Sequence, residues 1–338
     1  MKIAYFAQEA WEEQYIRDKV PGVDILVNIG SMQEHPDASS PDAEILSVFV
    51  NSHVGASEMD RYPGLKCIVT RSTGFDHIDL AEAKKRNIVV AYVPSYGVNT
   101  VAEFAFGLLL MLTRKLREAN HRVVVDGVFT QTGLTGMDLA GKTLGLIGCG
   151  RIGVHTARMA RGFGMKVMVY DVRQDAALAT EIGFEYADLN TVLAQADAIS
   201  VHLPLLPETK HLINYDAITK MKKGVYIINT ARGAIIDTEA LVRGLNEGII
   251  GGIGLDVLEE EGDMANEDAL ILREHPAEAE MKAVLENHRL IRDPRVIITP
   301  HVAFDTGEAI RRILDTSISD VTSYITNGVL KNPVPPTL

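Results

Sequence analysis

The sequence predicts an α/β chain with two doubly wound parallel-sheet domains. Short apolar runs alternate with amphipathic, helix-compatible stretches along almost all of the 338 residues. Continuous apolar strands separated by helices are typical of a parallel sheet that is covered on both faces. A chain of this length has room for two domains with substantial cores. A glycine-rich turn near the middle of the chain marks the start of a second strand–helix series.

The first hundred residues contain strand-like runs at residues 3–7, 23–29, 45–50, 65–70 and 88–93. Five such strands predict one doubly wound domain. A long helix is predicted from Thr100 to about Val125, and its first half is apolar nearly all round, which indicates burial. This helix is interpreted as the element that leaves the first domain.

The second series supplies strands at residues 143–147, 166–170, 198–203, 225–229, 249–256 and 296–299. A final helix, residues 306–326, is expected to return to the first domain, and residues 332–336 are expected to form a frayed end. The predicted domains are therefore residues 1–99 plus 301–338, and residues 100–300.

The composition argues against several classes of binding partner. The chain has 33 Lys and Arg against 45 Asp and Glu, and its net charge of −12 argues against binding to nucleic acid. The longest apolar stretch, residues 104–112, falls well short of the ~20 residues that span a bilayer. No targeting signal is seen at the N-terminus, and no set of residues has zinc-ligand spacing, so a cytoplasmic protein without a bound metal or a membrane partner is expected. The two cysteines, Cys67 and Cys149, fit a reducing compartment.

The glycine-rich turn reads G-x-G-x-x-G and lies directly between a strand and a helix. Gly148 permits the tight turn, Gly150 lets the backbone approach a pyrophosphate, and Gly153 allows close packing of helix on strand. Asp171 closes the next strand and is placed to accept hydrogen bonds from the adenosine ribose hydroxyls. The pattern predicts NAD as cofactor, and Arg173 leaves the strictness of NAD over NADP open.

Three further segments follow strands in the second half of the chain: NTARG at 229–233, LDVLEEEG at 255–262 and TPHVAF at 299–304. Because ligands gather at the carboxyl ends of parallel strands, these segments are expected to bring an Arg, an acid and a His to the edge that carries the glycine loop.

Together with TRSTGFDHID at 70–79, VPSY at 93–96 and HLP at 202–204, these motifs resemble the D-isomer-specific 2-hydroxyacid dehydrogenase family. Within it, the chain looks most like the D-lactate dehydrogenases, and the resemblance covers essentially the whole sequence. It implies a flavodoxin-like substrate domain and a Rossmann NAD-binding domain with a cleft between them.

The resemblance implies that His301 is the acid/base, that Glu261 orients it and that Arg232 binds the substrate carboxylate. A histidine with a free pKa of ~6.5 can hold a proton near neutrality, and a neighbouring carboxylate raises that pKa. The implied cofactor contacts are Gly148, Gly150, Arg151, Ile152, Gly153, Asp171, Leu203, Pro204, Thr209, Thr230, Ala231, Asp256 and Val101. The implied substrate contacts are Thr73, Gly74, Tyr96, Arg232 and Phe304. The family often has Pro after the glutamate, whereas Gly262 follows here, and a charged helical insertion at 266–288 precedes His301.

The leading hypothesis is an NAD-dependent enzyme that reduces a 2-keto acid, with pyruvate and D-lactate as the first-choice pair. The same chemistry on a bulkier keto acid, such as phenylpyruvate or 2-ketoisocaproate, is the near alternative. An NAD-sensing binding protein is the alternative from another class. The apolar stretch at 104–112 and the resemblance together predict a homodimer formed through the central domain.

Overall fold

The computed structural model describes residues 1–259, 261 and 278–335. It divides the chain into two compact units, residues 1–97 with the chain from Thr306 onward, and Val98–Asp305. The sequence placed the boundaries at 99/100 and 300/301, so His301 and Phe304 belong to the second unit rather than the first. The first part of the predicted insertion, residues 266–277, lies outside the described residues.

The first unit is built on a five-stranded parallel sheet with strand order β2-β1-β3-β4-β5. The strands are β1 Lys2–Ala7, β2 Asp24–Ile29, β3 Ala43–Val48, β4 Cys67–Thr70 and β5 Val89–Ala91. Alternate residues of β1 enter opposite cores, since Ala4 and Phe6 pack in one cluster and Ile3 and Tyr5 in the other. Both faces are therefore buried, as the continuous apolar runs predicted.

Helices cover both faces of this sheet: α1 Trp11–Lys19, α2 Ala56–Asp60, α3 Leu80–Lys85 and the C-terminal α12 Gly307–Asn327. Helix α12 packs Leu314, Ile318 and Val321 into the core that contains Ile3. Its Asp315 accepts a hydrogen bond of 2.8 Å from the hydroxyl of Tyr15 on α1.

The C-terminal segment does not form the predicted frayed end over its described residues. The N–H of Tyr92 donates to the carbonyl of Asn332 at 3.1 Å, and the N–H of Val334 donates to the carbonyl of Val90 at 2.8 Å. The fully buried Asp320 accepts the N–H groups of Lys331 and Asn332 at 2.7 and 2.8 Å. The segment is fixed to the sheet edge because this buried carboxylate needs those donors. Pro336 lies outside the described residues.

The second unit contains a seven-stranded parallel sheet with strand order β12-β11-β10-β9-β6-β7-β8. Its strands are β6 Thr143–Ile147, β7 Lys166–Tyr170, β8 Glu185–Tyr186, β9 Ala198–Val201, β10 Val225–Asn229, β11 Ile250–Leu255 and β12 Val296–Ile298. The two-residue β8 was not predicted, because it is too short to show a periodic pattern. Two doubly wound parallel sheets confirm the predicted fold class.

The helices of this unit are α4 Val98–Thr113, α5 Leu116–Val124, α6 Arg151–Gly162, α7 Ala176–Ile182, α8 Leu189–Gln195, α9 Tyr215–Thr219, α10 Thr238–Asn246 and α11 Glu278–Arg292, and a short 3-10 turn spans Gly233–Ile235. In the part of the chain that the structure describes, no helix is both long and apolar enough for a bilayer crossing.

The single helix predicted from Thr100 to Val125 is wrong, because α4 and α5 are separate. Lys115 interrupts them with a φ of +51°, in the left-handed region. The carbonyl of Thr113 accepts the N–H of Met137 at 2.8 Å instead of continuing the helical hydrogen bonds. The interruption thus coincides with a contact that is distant in sequence.

The stretch at 104–112 packs mainly within its own unit. Ala105, Phe106, Leu108, Leu109 and Leu112 are buried in one core cluster with residues of β6 and α6. Most of the stretch is therefore core rather than the subunit interface for which it was predicted.

Candidate active site

The glycine loop joins β6 to α6, and close packing requires two of its glycines. Gly148 has a φ of +94°, and a Cβ atom there would lie 2.6 Å from the carbonyl oxygen of His202. A Cβ at Gly153 would lie 2.4 Å from the carbonyl oxygen of Gly148. At Gly150 an added Cβ would meet no atom of the described residues within 4 Å, so the backbone faces open space there. The first and third glycines are needed for packing, and the second leaves room for a ligand.

That space belongs to a pocket of about 530 Å³ at the N-terminus of α6. It is lined by Val98, Cys149, Gly150, Arg151, Val154 and His155. Gly150 caps α6 in an extended conformation, so the backbone N–H groups of Arg151 and Ile152 lie in the first turn, which lacks intrahelical acceptors. A helix N-terminus of this kind favours phosphate oxygens. The residues present therefore fit the pyrophosphate of a dinucleotide.

Asp171 follows β7 and holds the glycine loop. Its Oδ2 accepts the N–H of Cys149 at 2.6 Å, and its Oδ1 accepts the N–H of Arg173 at 2.8 Å. Burial and the Asp171 charge raise the pKa of the Cys149 thiol to about 11, so the thiol stays protonated at neutral pH. Cys149 therefore fills the turn, and Asp171 lies beside the loop, where a cofactor ribose is expected.

The loop after β9 is fixed by hydrogen bonds among its own residues. The Nε2 of His202 lies 2.9 Å from the hydroxyl of Ser200. Thr209 donates to the carbonyl of Pro204 at 2.7 Å and accepts the N–H of Leu206 at 2.7 Å. The predicted cofactor residues Leu203, Pro204 and Thr209 thus share one ordered loop that adjoins the glycine turn through His202.

We expect acid to destabilise the protein partly through His202. Burial lowers the pKa of His202 from 6.5 to about 4, so the unfolded chain binds a proton that the folded chain excludes. This contribution is complete above pH 6.5 and is lost as the pH falls toward 4. When the pH is lowered from 7.5 to 5.0, the free energy of unfolding should decrease in both proteins. The decrease should be about 1–2 kcal/mol larger for the native protein than for the His202→Asn variant. Urea unfolding at both pH values measures this difference. The control is His121→Asn, which replaces an exposed histidine. Equal losses in the native protein and His202→Asn would refute the prediction.

The turn after β10 presents Arg232. The buried side chain of Asn229 accepts the N–H of Ala231 at 3.0 Å and donates to the carbonyl of Arg232 at 2.9 Å. The half-buried Arg232 is in an extended conformation, with a φ of −145°. The Thr230 hydroxyl is buried without a hydrogen-bond partner among the described residues. A bound polar group would satisfy it, as expected at a cofactor contact.

His301 is held in a left-handed conformation by the carboxylate of Asp256. His301 has a φ of +55°. The buried Asp256 accepts the Thr299 hydroxyl at 2.5 Å and the N–H groups of Val302 and Ala303 at 3.0 and 2.8 Å. Burial raises the pKa of Asp256, although these donors oppose the shift. Asp256 therefore shapes the loop that carries the imidazole.

Glu261 and His301 form a hydrogen-bonded pair. The Nδ1 of His301 lies 2.9 Å from the Oε1 of Glu261. Burial alone would raise the pKa of Glu261, but the hydrogen bond and charge of His301, the N–H of Leu258 and the charge of Arg232 together lower it. Glu261 is thus a carboxylate at neutral pH, and its Oε1 is placed to hold the imidazole ring of His301. The structure brings together the three residues that were predicted to be catalytic.

In the first unit, the loop after β4 carries Thr73 and Gly74. The hydroxyl of Ser72 donates to the carbonyl of Gly74 at 2.6 Å, and the hydroxyl of Thr73 donates to the carbonyl of Val93 at 2.7 Å. The backbone N–H groups of Thr73 and Gly74 donate to no acceptor among the described residues. They are available to a ligand, as a role in substrate binding requires.

The other predicted site residues are spread over both units. Tyr96 lies in the first unit, where its carbonyl accepts a 2.5 Å hydrogen bond from Arg312 of α12. Phe304 lies in the second unit, three residues after His301. Val101 is buried in α4, one turn beyond Val98 of the pocket. Their contacts with ligand stay predictions.

Sequence reasoning missed two polar groups at these loops. Asn229 was noted only as part of a motif, although an Asn directly after a strand is a signal for a turn that its side chain stabilises. Glu259 lies in the segment LDVLEEEG, whose three consecutive glutamates look alike in the sequence, yet it bonds His211 at 2.6 Å, and nothing in the sequence indicates that partner. Among the described residues, no group of His, Cys, Asp and Glu is arranged to hold a metal ion.

Residues 106–303 match the family model described as "D-isomer specific 2-hydroxyacid dehydrogenase, NAD binding domain". The chain belongs to this family. A D-lactate dehydrogenase from Escherichia coli is 35% identical over 331 residues, which cover 96% of each chain. A glyoxylate reductase from Thermofilum pendens is 40% identical over 301 residues, 88% of this chain and 81% of the relative.

A solved structure of D-lactate dehydrogenase from Aquifex aeolicus, complexed with NAD and lactic acid, has a TM-score of 0.86 and 33% identity. The match covers 99% of this chain and 100% of that one. This family member is therefore an NAD-dependent D-2-hydroxyacid dehydrogenase, and the predicted cofactor is confirmed.

Proposed function

We propose that this dehydrogenase reduces a 2-keto acid to the D-2-hydroxy acid, with pyruvate as the first-choice substrate and D-lactate as its product. The observation that carries the proposal is the hydrogen bond between His301 and Glu261 in the unit that holds the glycine loop. The relatives named for D-lactate support the choice of pyruvate.

His301 is the proposed proton donor. When bound, NADH supplies the hydride that reduces the carbonyl carbon of the substrate. Because Nδ1 bonds Glu261, Nε2 of His301 is the ring nitrogen left to protonate the carbonyl oxygen, which completes the alcohol. His301 is then neutral and takes up a proton from solvent before the next turnover. Glu261 fixes the ring and stabilises its protonated form before transfer.

Arg232 is the proposed ligand of the substrate carboxylate. Its guanidinium offers a planar pair of donors that matches a carboxylate, and its fixed charge polarises the adjacent carbonyl. Thr73 and Gly74 are proposed as further carboxylate ligands through their N–H groups, and Tyr96 and Phe304 as apolar contacts for the substrate side chain.

The substrate is tested by following NADH absorbance with pyruvate, phenylpyruvate, 2-ketoisocaproate, glyoxylate and hydroxypyruvate. We expect the highest kcat/KM with pyruvate. A higher value with phenylpyruvate or 2-ketoisocaproate would favour the bulkier-substrate alternative, and one with glyoxylate would follow the Thermofilum pendens relative. Tight NADH binding without turnover on any keto acid would refute the proposal and favour an NAD-sensing role.

Asp171→Asn is expected to reduce the preference for NADH over NADPH. The amide oxygen can still accept the N–H of Cys149 in the glycine loop, whereas the bond that Oδ1 accepts from the N–H of Arg173 is lost. The charge that repels a 2′-phosphate is lost, and we expect the ratio of kcat/KM values for the two cofactors to fall by about tenfold. Asp175→Asn is the control, because Asn caps α7 about as well as Asp. An unchanged ratio in Asp171→Asn would contradict this assignment.

We propose that the enzyme is a homodimer formed through exposed apolar residues at the C-terminal end of α5 and directly after it. Val124, Val125 and Phe129 are 71%, 67% and 95% exposed, and they lie close together in the sequence. Apolar surface of this extent is typical of an interface. Sedimentation at micromolar concentration should show a dimer. The double variant Val125→Asp/Phe129→Asp should shift the equilibrium toward monomer. A native protein that sediments only as monomer would refute the proposal.

A cytoplasmic location is proposed on composition. The chain has two cysteines, and the structure shows both as free thiols. Cys67 is buried, which raises the pKa of its thiol far above the usual range. Fractionation of the native cells, with the activity followed in each fraction, tests this location.

A further inference from the structure

A second histidine–carboxylate pair lies next to the proposed catalytic residues. The carboxylate of Glu259 is 2.6 Å from Nε2 of His211 through Oε1, and its Oε2 accepts the hydroxyl of Thr238 at 2.9 Å. The side chain of Glu259 is only 12% exposed. The carbonyl of Glu259 accepts the side-chain amide of the fully buried Asn287 at 2.8 Å. Both the backbone and the side chain of Glu259 are therefore fixed.

The position of Glu259 is favourable for a negative charge. Thr238 is the first residue of α10, and its N–H points to Oε2 of Glu259 at 3.4 Å. The partial positive charge of a helix N-terminus stabilises a carboxylate. Asp237, the cap of α10, uses its own carboxylate on the N–H groups of Glu239 and Ala240, so the two acids have separate donors.

Glu259 joins the segments that carry Arg232 and Glu261. A Cβ at Gly233 would lie 2.0 Å from the carbonyl of Leu258 and 2.3 Å from the N–H nitrogen of Glu259, so the Arg232 turn packs directly on this backbone. In the other direction, the carboxylate of Glu261 accepts the N–H of Leu258 at 3.3 Å. A shift of residues 258–259 would therefore displace both functional groups.

His211 anchors the third segment of this arrangement. Its N–H donates to the carbonyl of Ala234 at 2.9 Å, and its φ of +51° lies in the left-handed region that non-glycine residues rarely adopt. Such backbone persists only where its surroundings hold it, and the bond to Glu259 is one of the contacts that do so. The pair thus connects the turns of His211, Arg232 and Glu261.

We propose that Glu259 is a positioning residue that fixes Glu261 and Arg232 relative to each other through its contacts with His211 and Thr238. The inference rests on the proposed function, because it takes the roles of those two residues and of His301 from there. Glu259 touches no reacting atom, and it acts by holding the turn that presents Glu261 to His301.

Glu259→Gln tests this proposal with little change in volume. Small misplacements of catalytic groups have large kinetic effects, so we expect kcat/KM for the keto acid to fall by about tenfold. The NADH dissociation constant should change less than kcat/KM does, because the contacts of Glu259 among the described residues involve His211, Thr238 and Asn287 and none of the glycine loop. His211→Gln should cause a similar loss. Glu247→Gln is the matched control, since Glu247 also bonds a tyrosine and an arginine on the surface of the same unit.

The pH profile separates positioning from general destabilisation. Glu261→Gln should move the alkaline limb of kcat/KM for reduction to lower pH, because the protonated His301 loses its carboxylate partner. Glu259→Ala should move the alkaline limb in the same direction. Introducing Glu261→Gln into the Glu259→Ala variant should lower kcat/KM by a smaller factor than introducing it into the native protein. A merely structural role would lower activity without moving the limb. Glu259→Gln and His211→Gln serve the same comparison if the alanine variant does not fold.

Two failures are distinguishable. If Glu261→Gln and His301→Asn retain native turnover, the proposed function fails. If those variants lose turnover while Glu259→Gln and His211→Gln keep the native kcat/KM and pH profile, the positioning role of Glu259 is refuted and the proposed function stands.

Discussion

Replacing His301 by Asn is expected to lower kcat for keto-acid reduction by about 10³-fold, since a positioned acid contributes roughly 10²–10⁴-fold. Asn is the suitable replacement because His301 has a φ of +55°, and Asn tolerates that conformation better than most other non-glycine residues. The loss follows from the missing proton, because hydride alone would leave an alkoxide. Stopped-flow reduction of pyruvate measures the rate of the chemical step.

The NADH dissociation constant of His301→Asn should stay within about twofold of the native value, since the glycine loop is unchanged. His121→Asn, which alters an exposed histidine on α5, is the control. If His301→Asn kept a tenth or more of the native kcat, another group would have to be the proton donor.

Arg232→Gln is expected to lower kcat/KM for pyruvate by about 10²–10³-fold, mainly through a higher KM. Charge-assisted hydrogen bonds are worth about 1.5–3 kcal/mol each, and glutamine retains only one neutral donor group for the carboxylate. Arg232→Lys should recover part of the loss, because the charge returns without the planar pair of donors. Steady-state kinetics at saturating NADH give these values.

Methyl pyruvate makes the Arg232 prediction specific to the carboxylate. The native enzyme should strongly prefer pyruvate over this uncharged ester, and Arg232→Gln should bring the two kcat/KM values close together. Arg243→Gln, which alters an exposed arginine paired with Glu247, should behave like the native protein. A variant without Arg232 that still preferred pyruvate as strongly as the native enzyme would show that the carboxylate binds elsewhere.

Much of the fold could be predicted because buried parallel strands are continuous apolar runs. In the part of the chain that the structure describes, every strand longer than two residues corresponds to a strand predicted in this way. The glycine motif was readable because its spacing follows from backbone geometry, as Gly148 and Gly153 show by their contacts with His202 and with each other. The helix interruption at Lys115 could not be predicted, since the carbonyl of Thr113 there accepts the N–H of Met137, which lies far along the chain.

The roles of the consecutive glutamates at 259–261 could not be told apart from the sequence alone. Glu259 and Glu261 are two residues apart, yet one bonds His211 and the other His301. Their partners lie 48 residues before and 40 residues after them, and the packing that selects each pair depends on the whole sheet. The resemblance assigned Glu261 correctly to the neighbourhood of His301, whereas the contacts of Glu259 came from the structure.

The most direct test of the central claim is isotope transfer with stereochemical analysis of the product. The enzyme is incubated with pyruvate and NADH that carries deuterium at both C4 positions of the nicotinamide, and the lactate is examined by mass spectrometry and chiral chromatography. We predict D-lactate with deuterium at C2. L-lactate, or D-lactate without deuterium at C2, would contradict direct hydride transfer by a D-2-hydroxyacid dehydrogenase.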